Sequence, residues 1–138
     1  MKHRYALILG TLVGLAGCPS TPTHVVEANK QMEAKGSPFR YVAKGDAAMV
    51  LTLMPLPAGE TKAVAPLAQQ ALDAIAAEER RKGRSTATLD EVRYLQDGRE
   101  VWILRTLGNE GIAYVLSFAA PSQAGSNIRM TGPHTYQK

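Results

Sequence analysis

Between residues 64 and 82 the apolar side chains recur at helical spacing, with Val64, Leu67, Ala68, Ala71, Leu72 and Ile75 on one stripe and Gln69, Gln70, Asp73 and Glu78 away from it. Such a stripe must be buried against another element, and a sheet is the natural partner for a single helix. Pro66 is tolerated only in a first turn, Arg80, Arg81 and Lys82 suit the negative end of the helix dipole, and Gly83 suits the cap. The spacing therefore predicts one long amphipathic helix from about Pro66 to Lys82.

The flanking segments read as strands. Phe39 to Ala43 and Ala47 to Met54 lie on either side of Lys44, Gly45 and Asp46, which form a good turn, and Pro55, Pro57 and Gly59 then break the pleat. Val92 to Gln96 and Arg99 to Leu104 flank Asp97-Gly98, the pair favoured by a two-residue type I′ turn. That turn sets Gln96 opposite Arg99, Tyr94 opposite Val101 and Val92 opposite Ile103. It leaves Arg93, Leu95, Glu100, Trp102 and Leu104 on the other side. Ile112, Tyr114, Leu116 and Phe118 alternate along a further strand, and Asn127 to Thr131 form a last one before Gly132 and Pro133 end it. The expected fold class is α+β, an antiparallel sheet of about five or six strands with the long helix packed on one face.

The start of the chain has a different character. Lys2, His3 and Arg4 precede an apolar run from Tyr5 to Leu15 that is too short to span a bilayer, which is the pattern of a secretory signal. The run ends in Leu15, Ala16, Gly17 and Cys18, a sequence that resembles the lipobox of bacterial lipoproteins. The resemblance implies cleavage between Gly17 and Cys18, diacylglycerol on the Cys18 sulfur and usually acylation of the new amino group. With each buried methylene contributing about 0.8 kcal/mol, two or more acyl chains hold a domain stably at a membrane. Pro19 stands where an Asp would signal retention in the inner membrane of many Gram-negative lipoproteins, so in a Gram-negative cell the periplasmic face of the outer membrane is the favoured address within the cell envelope. The chain then divides into a signal peptide (residues 1–17), a lipidated cysteine and tether in which Thr23 caps a short helix (residues 18–36), and a single α+β periplasmic domain (residues 37–138).

The order VLTLMPLPAG, helix, REVWILRTL and AYVLSF resembles the PsbP-like fold of certain envelope lipoproteins over Phe39 to Ala120. That resemblance implies a closing helix after Ala120, where this chain has GSNIRMTGPHTYQK instead.

Little in the sequence marks catalysis. The histidines are His3 in the signal, His24 beside the tether and His134 near the end, with no HExxH or CxxC, no Walker loop, no GxGxxG and no GxSxG. No metal or other cofactor is expected. The adjacent pairs Glu78-Glu79 and Asp90-Glu91 sit at element ends among basic residues, where capping and solvation explain them. Removal of Lys2 and Arg4 with the signal leaves a small positive balance without an aromatic-lined basic stripe, so nucleic acid is not an expected partner.

The function expected is that of a protein-binding module on the envelope: an assembly or secretion accessory, or an immunity protein against a toxin. An unmarked hydrolase using an inwardly directed acid or His134, and a lipid-handling or structural protein with an apolar groove between helix and sheet, are the alternatives. The candidate partner surface is the face expected to hold Trp102, Arg93, Leu95 and Leu104, since Trp and Arg dominate many interfaces. The competing expectation is that this face is covered, as tryptophan usually is. His134 and Tyr136 are further candidates for a contact surface, with simple exposure at a polar chain end the competing expectation.

Overall fold

The computed structural model describes residues 20–84, 87–119 and 127–138. The signal, Gly17 and Cys18 lie outside these residues. In chain order the elements are α1 (Thr23–Ala34), β1 (Phe39–Lys44), β2 (Ala48–Leu53), β3 (Ala58–Gly59), α2 (Ala65–Arg81), β4 (Leu89–Tyr94), β5 (Glu100–Leu104), β6 (Glu110–Phe118) and β7 (Ile128–Gln137).

The expected fold class is corrected. Seven strands form one curled half-barrel sheet in the order β1-β2-β7-β6-β5-β4-β3 in place of the expected five or six antiparallel strands, and two short helices, rather than one long amphipathic helix, accompany it. The sheet is mixed, because β2 and β7 pair in parallel through Thr52 and Gln137, while every other neighbouring pair is antiparallel. The extra strands have local causes. β3 is two residues long and lies on the edge beside β4. β7 does not stop at Gly132-Pro133: a bulge opposite Tyr114, between the pairs Ala113–His134 and Val115–Thr131, takes up those two residues, and a bulge is one of the few places where proline fits a strand. β7 also occupies the stretch in which the PsbP-like resemblance implies a helix.

Both faces of the sheet are buried. On one, Ala71 and Ile75 of α2 pack on Val92, Trp102, Leu104, Ile112, Tyr114 and Leu116. On the other, Phe39, Val101, Ile103, Ala113, Val115 and Tyr136 are covered by Met32 of α1 and by Leu51, Leu53, Leu56 and Leu95. All five residues of β5 are buried as a result, so neither side of this strand faces water. α1 starts from Pro22 rather than from a Thr23 cap, and its Val25 is buried, so residues 23–34 belong to the packed domain more than to a tether.

β1 is a sheet edge, and α1 blunts it. The amide of Asn29 accepts from the N–H of Tyr41 at 2.6 Å and donates to its carbonyl at 2.9 Å, pairing both backbone groups as a neighbouring strand would.

Gly111 on β6 sits under the ring of Tyr136, and a Cβ there would overlap the ring. Gly111→Ala should therefore destabilise the domain by about 1–3 kcal/mol, read from denaturant unfolding. A neutral effect would mean that the Tyr136 ring moves aside at little cost.

Candidate functional site

The β4–β5 connection decides where the expected surface residues go. Leu95 N–H donates to the Arg99 carbonyl at 2.9 Å and Gly98 N–H to the Leu95 carbonyl at 3.1 Å, so the loop is Gln96, Asp97 and Gly98, with Gly98 alone at positive φ (92°). This is a three-residue turn, not the two-residue type I′ turn, and it moves the register by one. Val92 pairs with Trp102, Arg93 with Val101 and Tyr94 with Glu100.

The four residues of the candidate partner surface consequently separate. Trp102 and Leu104 lie under α2, at 0% and 3% exposure. Arg93 turns to the opposite face and forms a double hydrogen bond with Glu91, both at 3.1 Å, and Leu95 packs on that face's core. Tyr136 is buried against Phe39, and the half-buried ring of His134 also meets Phe39, at 5.0 Å between centroids. Burial holds the imidazole of His134 below its ordinary pKa, and its Nε2 lies 3.3 Å from the Thr131 hydroxyl.

Glu79, for which solvation at an element end is the expectation, and Glu100 are instead both buried, and each ties one end of α2 to the sheet. Glu100, 2% exposed, accepts hydrogen bonds from Trp102 Nε1 at 2.7 Å, the Thr61 hydroxyl at 2.8 Å and the Lys62 N–H at 2.8 Å, which fixes the chain just before the helix. Glu79, also 2% exposed, is held at the other end by the Arg84 guanidinium and by the Tyr114 hydroxyl at 2.5 Å. The Arg84 guanidinium, with help from Tyr114, keeps the Glu79 carboxyl below its ordinary pKa against the opposing effect of burial. Burial next to this carboxylate pushes the Tyr114 hydroxyl well up. Both carboxylates spend their lone pairs on internal donors. Glu79 lies four residues beyond Ile75 and eight beyond Ala71, so an acid continuing the apolar stripe was the signal available in the sequence.

A cleft lies elsewhere, at the end of the sheet where α1 finishes. Gly36, Ser37 and Arg40, the loop Met54 to Pro57, and the hairpin from Tyr94 to Arg99 enclose a cleft of about 590 Å³. Its floor is apolar, because Leu56 and Leu95 continue the core of the face away from α2. Pro57 anchors the middle segment by accepting from Tyr94 N–H at 2.9 Å.

Two arginines shape the polar rim. Arg99 Nε binds Asp97 at 2.8 Å and its Nη2 reaches the Gly36 carbonyl, joining hairpin to helix end. Asp97 is held below its ordinary pKa, first by the backbone N–H of Arg99 and then by its guanidinium. Arg40 Nη1 donates to the Ser37 and Phe39 carbonyls, both at 2.7 Å. Among the described residues no carboxylate lies within ion-pair distance of Arg40, so its charge is uncompensated at the cleft.

Among the described residues no three His, Cys, Asp or Glu side chains gather as a metal site, and no helix is long and apolar enough to cross a membrane. Comparison with protein-family models, with curated proteins and with solved structures found no match to this chain.

Proposed function

We propose that this chain is a bacterial envelope lipoprotein, cleaved behind Gly17 and anchored through lipid on Cys18, whose small domain binds another envelope protein at the cleft between Arg40 and Arg99. The observation that supports it best is the composition of that cleft. An apolar floor of Leu56, Leu95 and the Pro55-Pro57 loop is rimmed by two arginines, one of them without an acidic partner. Arginine side chains around an apolar centre are the makings of a protein-binding hot spot, and a guanidinium without an acidic partner selects a partner that brings an acid. The space between α2 and the sheet, where a lipid-handling role needs a groove, is filled by Ile75, Trp102, Tyr114 and Leu116, each at 0% exposure.

Affinity capture from envelopes of the native host tests the reading. A partner held by the wild-type domain should be lost from Arg40→Glu and weakened by Pro55→Asp, by about 2 kcal/mol or more, while Cys18→Ser abolishes lipid labelling and membrane retention without touching the cleft. Undiminished capture by both folded cleft variants would remove the cleft from this role. Lipid labelling that survives in Cys18→Ser would remove the anchor.

A further inference from the structure

Lipid on Cys18, the anchor proposed above on which this inference rests, would constrain the pose of the domain as well as its address. Two peptide units separate Cys18 from Ser20, so their Cα atoms lie at most about 7 Å apart. The headgroup region of one leaflet is itself roughly 5–8 Å deep, which leaves Ser20 no room to stand clear of it.

The segment that follows is not a free spacer. The Pro22 carbonyl accepts from the N–H groups of Val25 at 3.0 Å and Val26 at 3.2 Å, so residues next to the anchor lead directly into α1. Ser20, Thr21 and Pro22 also line a cleft of about 740 Å³ together with Val25, Tyr41 and Val42, and the clasp of Asn29 on Tyr41 makes α1 and β1 one rigid piece here. Of the five large apolar side chains most open to solvent among the described residues, three lie on α1 and the β1–β2 hairpin: Val26 of α1 at 38%, Val42 of β1 at 49% and Met49 of β2 at 38% exposure.

We propose that the first turns of α1 and the outer end of the β1–β2 hairpin rest on the bilayer surface, with Val42 seated among the lipid headgroups. α1 rises about 18 Å over its length. Its far end opens into the cleft of Arg40 and Arg99, which this pose turns away from the membrane and towards a partner in the surrounding space.

Cys18 is the only cysteine, and lipid consumes its thiol, so single cysteines placed at Val42, Met49 and Gln96 can each carry one fluorophore. Each full-length, lipidated variant is reconstituted in phosphatidylethanolamine and phosphatidylglycerol vesicles containing a headgroup-spin-labelled lipid, and flotation is measured beside quenching. Flotation with several-fold stronger quenching at Val42 and Met49 than at Gln96 supports the pose. Flotation with equal quenching at all three sites, or with Gln96 quenched most, overturns the pose and leaves the anchor standing. Failure to float removes the anchor and the pose together.

Discussion

Trp102→Ala should lower the stability of the domain by about 3–5 kcal/mol in denaturant or thermal unfolding, because it empties a site at the centre of the larger core. The indole is fully buried, packs on Phe118 with centroids 6.1 Å apart and faces Ala71 and Ile75 across the α2 interface. Cavity formation is only part of the cost. Glu100 would lose one of its three hydrogen bonds while remaining buried, which weakens the hold on Thr61 and Lys62 and with it the start of α2. Trp102→Phe separates the two effects, keeping most of the volume and removing the N–H, and should cost about 1–3 kcal/mol. A loss below about 1 kcal/mol for Trp102→Ala would contradict the burial on which this argument stands.

The fate of Trp102 also shows how much of the fold the sequence carries. Alternation along β5 is legible: Glu100, Trp102 and Leu104 share a face as their spacing requires. What the sequence hides is the partner strand's register. Asp97-Gly98 has the composition of a two-residue turn, but Asp97 uses its carboxylate on the N–H and guanidinium of Arg99, and Arg99 reaches on to Gly36. Those contacts belong to a turn one residue longer. A shift of one residue sends the whole of β4 to the opposite face, which is why Arg93 and Leu95 part from Trp102.

Long-range pairing is harder still to read. The helical stripe marks the course of α2, but nothing local tells β7 to insert between β2 and β6 or to run on through Gly132-Pro133. Both outcomes depend on a bulge and on a parallel bridge to Thr52. The missing strand order is also why the expected antiparallel sheet with one covered face became a mixed sheet covered on both. The candidate cleft has the same origin. Arg40, Leu56 and Arg99 come from three segments with no common spacing, and only the return of the β4–β5 hairpin to the end of α1 brings them together.

At the other end of α2, Arg84→Leu should cost about 2–4 kcal/mol. Removing one member of a buried ion pair leaves the other charge uncompensated, and the figure is held down because the Arg84 side chain is itself 38% exposed and screened by water. Glu79 would keep only the Tyr114 hydroxyl, and its carboxyl pKa should rise as desolvation outweighs the remaining hydrogen bond. The wild-type pH dependence follows from the lowered pKa of Glu79. A carboxyl that is harder to protonate folded than unfolded adds stability that is fully present above the ordinary glutamate range, and that stability is lost as pH falls through the lowered folded value. Glu78 and Asp97 shift in the same direction, so the acid limb of the wild type is shared, and the difference between wild type and Glu79→Gln isolates the buried group. Unfolding free energy measured from neutral pH down to the acid limb should fall less steeply in Glu79→Gln than in the wild type. Parallel slopes would show that the Glu79 carboxylate gains nothing from its ionised form in the folded protein, and the pairing of Glu79 with Arg84 could then not be what fixes the end of the helix.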